Sequence, residues 1–496
     1  MKKVVFIEPR ADSGLALSHY LRWPLLGNLT MATMLHRRGH DVKVYSESLT
    51  GSVLDDDRTF GDLLEADFVG LTALTPSVGR AYEIATRLQE AGMKGRLVMG
   101  GIHASLMPEE ALAYVPCVVR GEGETVITSL VESDDPPEGL VDAAPVENLD
   151  DLPMPDLCLI HRYRDLWKTT IWKKDYEVPL STSRGCPYGC KYCSVTKMFG
   201  RQYRMRSVDK VLEDVMCYYN RGYRTFFFYD DNFTADRARA IELLEKIAPL
   251  GIRWSSQCRI DFPWIDHNTR SKVDHRLMKA IQASGVDIIY VGYETLDEDT
   301  ARHWKKGYRG TAPLVNRLEE DTHILHDHGV WVHGMFVLGP QHDVSTFAQA
   351  VDFSHRNKIN SMQMSILTPY PGTEIMDELR GDLIFNRFPD DWKYFDGTHA
   401  VFHHKKMGNE AIQAAVLEYH RKYYQSMSHQ WDRLRRMALG PGGMGKNMIK
   451  GARSALRVRK MIKAWKAENE AFIEETARRG AHYLRPARRT TAGTVV

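Results

Sequence analysis

Three cysteines stand within eight residues, Cys186-Pro-Tyr-Gly-Cys190-Lys-Tyr-Cys193, a C-x3-C-x2-C string in which Gly185 and Gly189 each directly precede a cysteine. Glycine there lets the backbone wrap closely around a bulky object. Three thiolates suit a soft metal or an iron–sulfur cluster. Zinc would want a fourth ligand, usually Cys or His at short spacing, and no histidine lies in the loop or close after it. A cubane cluster held by three cysteines leaves one iron open for a substrate or cofactor. The alternatives are a zinc clip completed by a distant ligand, or plain core cysteines. The remaining cysteines, Cys117, Cys158, Cys217 and Cys258, are scattered. Seven in 496 residues is too sparse, and odd in number, for a disulfide scaffold.

Residues 1–132 alternate strand and helix signals, with strands expected at Val4–Glu8, Asp41–Tyr45, Asp67–Leu71, Arg96–Met99 and Val115–Val119 and a helix over Glu122–Glu132. Such alternation means βαβ units and a doubly wound parallel sheet, with ligands at the C-terminal ends of the strands. Residues 133–179 read as a linker, where six prolines deny regular structure. Residues 180–366 alternate again, with strands expected at Leu180–Ser183, Thr225–Tyr229, Arg253–Gln257, Asp287–Val291, Trp331–Val337 and Ser361–Ile366. Six βα units suit a partial βα barrel whose site lies on the loops after the strands. The cysteine loop follows the first of them. Residues 367–431 form an aromatic extension and 432–496 a basic helical tail, so the fold class is α/β throughout the first 366 residues.

With that placement, the cysteine string resembles the radical S-adenosylmethionine (SAM) enzymes. The fuller string Thr182-Ser183-Arg184-Gly185-Cys186-Pro187 through Cys193-Ser194-Val195-Thr196-Lys197 resembles their branch with an N-terminal cobalamin (B12)-binding domain, over roughly residues 1–430. The resemblance implies a [4Fe-4S] cluster on Cys186, Cys190 and Cys193. Its open iron would chelate SAM, and reduction by an external donor such as flavodoxin or ferredoxin would cleave SAM to methionine and a 5′-deoxyadenosyl radical. It implies that Tyr192 packs near adenine. The carboxylates of Asp230-Asp231-Asn232, after the second barrel strand, would receive the SAM ammonium. Gln257 and Arg259 would meet the ribose or carboxylate, and Glu294, in Gly292-Tyr293-Glu294, would lie near SAM.

For cobalamin, the strand-end segments that resemble the binding domain carry Thr72 and Thr75, Gly100, Gly101 and His103, and Gly121 and Glu122. Small residues and hydroxyls there would let a corrin and its nucleotide tail approach the backbone. The first strand's loop, Glu8 to Gly14, lacks histidine, and no Asp-x-His-x-x-Gly string occurs; the nearest, Asp321-Thr-His323, lacks the glycine. His103 alone is more often a hydrogen-bonded loop residue than a ligand.

Two nucleotide motifs fail. Gly440 to Asn447 nearly matches a phosphate loop, but Asn447 replaces the hydroxyl and no strand precedes it. Gly121-x-Gly123 lacks its third glycine. The net charge of +2 hides an asymmetry, since Asp432 to Val496 carries 16 Lys+Arg against 5 Asp+Glu, leaving −9 for the rest. The tail reads as a solvated cap or as a basic amphipathic helix for an anionic membrane surface. Nucleic acid is not expected without a recognised RNA-binding module. The aromatics around Trp392 and Tyr394 either wall a substrate pocket or simply pack over the barrel. No apolar run spans a membrane, and the short apolar start is no signal peptide, so the expected address is cytoplasmic, with peripheral membrane contact open to the tail. The function expected is radical functionalisation of an unactivated carbon. Methylation of a lipid, tetrapyrrole or other secondary metabolite leads; ring formation, hydroxylation or rearrangement is the alternative, and a non-catalytic metal- or cobalamin-binding protein is the rival of another class.

Overall fold

A computed structural model describes residues 1–11, 23–164, 176–426, 463 and 465–479. Two six-stranded parallel sheets carry the architecture. The first holds β1 (Lys3–Glu8), β2 (Asp41–Ser46), β3 (Phe68–Thr72), β4 (Arg96–Gly100), β5 (Cys117–Gly121) and β6 (Gly139–Ala143), in the order β2-β1-β3-β4-β5-β6. The second holds β7 (Glu177–Leu180), β10 (Thr225–Phe228), β11 (Arg253–Cys258), β12 (Val286–Glu294), β13 (Val332–Leu338) and β14 (Ser361–Ile366), in the order β14-β13-β12-β11-β10-β7. β7 and β14 remain edges, so the barrel is partial. A small antiparallel pair, β8 (Ser183–Arg184) with β9 (Arg204–Met205), clips the base of the cysteine loop.

The inner strands of the first sheet are nearly continuous apolar runs because helices cover both faces of such a parallel sheet, whereas β13 and β14 of the partial barrel alternate buried with half-buried residues. Val4, Val5, Phe6, Ile7, Phe226, Phe227 and Phe228 are all buried. Pro179 sits in β7, an edge strand, where its missing N–H costs no ladder bond.

Three sequence expectations need correction. The stretch expected to be irregular contains β6, paired in parallel with β5 from Cys117–Gly139 to Gly121–Ala143. Its flanking prolines bound a short edge strand rather than excluding one. The first barrel strand ends at Leu180, not Ser183, because the Asp230 carboxylate takes the N–H groups of Thr182 and Ser183 out of any ladder. The helix expected from Glu122 starts only at Ile127, since Glu122 stays extended and turns its carboxylate to the second domain.

The C-terminal residues pack inward. Trp392 stacks on Phe388 at 3.7 Å and donates its indole N–H to Glu110 of the first domain at 3.0 Å. The aromatic density is therefore core and domain contact, not pocket wall. The helix over 465–478 lies against this extension: Phe472 stacks on Phe385, and Arg479 reaches Asp391 at 2.6 and 2.9 Å. That part of the tail is a cap. The basic stretch 432–462 and the Gly440–Asn447 string lie outside the described residues. Among the described residues no helix is long and apolar enough to cross a membrane.

Candidate active site

The cysteine loop is positioned by buried charge. Beyond β7 the chain is held by Asp230, whose carboxylate accepts the Thr182 N–H at 2.7 Å, the Ser183 N–H at 2.9 Å and the Thr182 hydroxyl. Arg239 backs the same turn, donating to the Thr182 carbonyl at 2.9 Å and the Arg206 carbonyl at 2.8 Å. Gly185 opens the loop at φ +85°, and a Cβ there would lie 2.4 Å from the Gln202 carbonyl oxygen, so the position excludes every other residue. The Arg259 guanidinium lies 3.8 Å over the Tyr188 ring, and the Lys191 N–H bonds to the Trp304 carbonyl. Tyr192 meets Trp304 edge-on at 5.6 Å.

Cys186, Cys190 and Cys193 are half-buried free thiols. Burial, together with each other's charge, pushes Cys193 up to about 12 and Cys186 upward as well. Such thiols ionise only against a metal, whose charge replaces the lost hydration. Three thiolates in one loop, with no histidine among them, form a donor set that fits a multi-iron cluster, which takes each thiolate on a different iron.

Beside the loop lies a cleft of about 1440 Å³, counting its open mouth, walled by both domains. The first domain contributes the turn Leu25–Asn28, Met31, Thr72, Leu74, Gly101 and Gly121; the barrel contributes Ser183, Arg184, Met198, Phe199, Tyr229 and Asp231. A narrow apolar slot of about 50 Å³ continues between Phe6, Phe68, Val98 and Val119 and the glycines Gly70, Gly100, Gly101, Gly121 and Gly123. At Gly70 a Cβ would press on Phe6 at 2.8 Å, and at Gly101 on the Thr72 methyl at 2.7 Å. The glycines let Phe6 and Thr72 pack closely at the strand ends, and the wide cleft beside them offers the open face that a corrin would need.

The expected residues divide between this cleft and the framework around it. Asp231 opens into the cleft and accepts the Gly185 N–H; the protein crowding it, and the neighbouring Asp230, push its carboxyl up to about 7. Asp230 is buried and engaged as above. Asn232 turns away, toward a small pocket shared with Tyr188, Arg259 and His267. Arg259 is fully occupied, bidentate to Asp261 at 3.0 and 2.9 Å and bonded to the Lys306 carbonyl at 2.7 Å. Gln257 is half-buried at the end of β11, and its carbonyl accepts the Phe233 N–H. Glu294 sits at φ +60° where β12 slips register against β13, and it pairs with Lys306 at 2.7 Å. A left-handed non-glycine residue in a strand is strained, a state that clusters at functional sites.

On the cobalamin side, Thr72, Gly101, Gly121 and Glu122 line the cleft and Gly100 the slot. The Thr72 hydroxyl donates to the side-chain amide oxygen Oδ1 of Asn28 at 2.5 Å. His103 and Thr75 do not line the cleft. His103 is fully buried within 3.2 Å of both the Thr75 hydroxyl and Glu110, with Trp392 edge-on at 5.1 Å. Glu122 spends its carboxylate on Arg184 at 2.8 Å and on Arg204, while Glu124 takes the other arm of Arg184 at 2.5 Å. It bolts the domains together. The partners Arg184, Arg204, Lys306 and Asn28 were given no role from the sequence, and Tyr229 only its place at the end of the second barrel strand, directly before Asp230. Arg184 stands in the quoted cysteine string and Tyr229 in the string through Asn232; the others stand in apolar or unremarkable strings.

A family model described as the radical SAM superfamily matches residues 180–354, and one described as a B12 binding domain matches residues 13–131. The bacteriochlorophyllide d C-12(1)-methyltransferase of Chlorobaculum tepidum is 27% identical over 435 residues, 86% of this chain and 88% of that one. The anaerobic magnesium-protoporphyrin IX monomethyl ester cyclase of Rubrivivax gelatinosus is 25% identical over 414 residues, 77% of this chain and 70% of that one. The solved structure of the cobalamin-dependent SAM radical enzyme OxsB shares the fold, with a TM-score of 0.64 and 15% identity over 96% of this chain and 80% of that one.

Proposed function

The chain belongs to the radical SAM enzymes that carry a B12-binding domain, and from that premise we propose that it methylates an unactivated carbon on a tetrapyrrole. Its cofactors are a [4Fe-4S] cluster, SAM and cobalamin. When bound, they supply a 5′-deoxyadenosyl radical to remove a hydrogen and a methyl group to replace it. In this reading Cys186, Cys190 and Cys193 hold the cluster, Asp231 accepts the SAM ammonium and Tyr192 packs toward adenine. The cleft takes the cobalamin. An approaching ammonium draws Asp231 into its ionised form, since an opposite charge favours the charged carboxylate. Asp230 and Arg239 keep the loop rigid, and the apolar wall of Leu25, Leu26, Met198 and Phe199 excludes water from the reacting groups.

The observation that supports this reading is one cleft, walled at once by Asp231 beside the cysteine loop and by the strand ends of the B12-binding domain. Two cofactors must act on one carbon, and shared walls are what that requires. The tetrapyrrole follows from relatives whose names place their chemistry on bacteriochlorophyllide d and on magnesium-protoporphyrin IX monomethyl ester. The cyclase among them favours a second reading, ring formation. An external low-potential electron donor such as flavodoxin or ferredoxin belongs to either.

Anaerobically reconstituted protein, a strong reductant and SAM deuterated in its methyl group would be incubated with chlorophyllide-type tetrapyrroles. S-adenosylhomocysteine, 5′-deoxyadenosine and a tetrapyrrole heavier by one labelled methyl group are expected. 5′-Deoxyadenosine with an unlabelled, dehydrogenated product would replace methylation with ring formation.

A further inference from the structure

Large apolar side chains rarely stand open to water without a purpose when they share one concave site. Leu74 from the first domain and Tyr229 from the barrel are 45% and 43% exposed, and both line the cleft. Tyr229 follows β10 directly, and its ring stands edge-to-face against Trp23 at 6.0 Å and against Phe227 at 5.8 Å. Trp23, carried by the first domain, stacks on Phe227 of the barrel at 3.9 Å and 24°. Three aromatic rings thus meet at the domain junction, and one of them, Tyr229, lines the cleft. The Tyr229 N–H bonds to the Leu180 carbonyl at 2.7 Å, which fixes where the ring projects. Asp231 lies two residues on, and it too lines the cleft. A group resting on Tyr229 would therefore lie beside the place where SAM is expected.

We propose that Tyr229, braced by Trp23 and Phe227, is the platform on which a flat, conjugated substrate ring stacks, and so helps set specificity for planar macrocycles. The inference rests on the tetrapyrrole reading above. An aromatic face offers a planar π-system both area and offset stacking, and a platform braced by other rings loses little freedom on binding. A phenyl ring serves as well as a phenol for that purpose, whereas a leucine does not.

The test uses the full-length protein reconstituted with cluster and cobalamin, titrated with zinc protoporphyrin and followed through the porphyrin's main visible band. Tyr229→Leu is expected to weaken binding about tenfold. Tyr229→Phe should keep near-parental affinity, and Trp23→Leu should fall between them. Cobalamin and iron content should match the parent in all three. Parental affinity in Tyr229→Leu would overturn the platform. Loss of cobalamin in Tyr229→Leu would overturn it too, since the ring would then serve the corrinoid. If the parent protein itself binds no porphyrin while retaining cobalamin, the tetrapyrrole reading fails and the inference falls with it. The first two results leave that reading standing.

Discussion

At the scale of single residues, neighbouring aspartates have opposite tasks. Asp230 satisfies two buried N–H groups and lies against Arg239, so Asp230→Ala leaves those donors and the cation unpaired. It should cost about 3–5 kcal/mol, read as a fall in the thermal unfolding midpoint and in iron retained after reconstitution. Asp231 faces the cleft and braces one N–H, so Asp231→Asn should leave the midpoint nearly unchanged. It should weaken SAM binding by roughly tenfold or more in calorimetry, the worth of one charged hydrogen bond. Equal effects from the two would remove the distinction. Glu177, on the barrel floor, is pushed up to about 7 chiefly by burial. The folded state therefore holds its proton more tightly than the unfolded chain, and stability declines as pH rises from about 4.5 through about 7. Glu8, also pushed up to about 7, acts in the same window. Glu177→Gln should raise the unfolding midpoint at pH 8 and flatten its pH profile between 5 and 8, by on the order of 2–3 kcal/mol.

At the scale of elements, β7 ends where the Asp230 side chain intercepts the backbone. Period and propensity locate β1 to β5 and β10 to β14 within a residue or two, because these runs are apolar and bounded by turn residues, except that β12 runs on to Glu294, three residues past its expected end. They miss β6, whose only partner is β5, and they misplace the end of β7, which Asp230 sets from 48 residues away. Between the sheets, Glu122 joins β5 to the clip of β8 and β9 through the buried Arg204 and the partly buried Arg184. Glu122→Gln should strand part of that charge and cost about 3 kcal/mol or more. The expected readout is a lower midpoint, with limited proteolysis releasing the first domain. An unchanged midpoint would mean that the ion cluster contributes nothing net.

At the scale of the whole molecule, the C-terminal chain returns to clasp the extension. Phe472 is nearly fully buried against Phe385, Tyr394 and His399, and Arg479 is bidentate to Asp391. Phe472→Ala should cost about 3–5 kcal/mol, seen in thermal unfolding. A tail meant only for solvent or a membrane would show almost no change. The extension in turn holds the first domain through Trp392 and Glu110, so loss of the cap should also loosen the domain pairing that shapes the cleft.

What the amino-acid sequence determined alone is local in origin: the thiol donor set, the glycine at Gly185 and two runs of βα alternation. Each depends on spacing within one turn, loop or strand, and spacing survives without a fold. What only the tertiary structure decided is which polar groups are already spent. Glu122 is consumed by arginines 62 and 82 residues away, His103 by Glu110 and Thr75, and Arg259 by Asp261, while Asp231 and Tyr229 remain open to the cleft. A carboxylate or a ring is available for chemistry only when nothing else satisfies or covers it. That balance of burial and pairing arises from contacts between segments far apart in the chain.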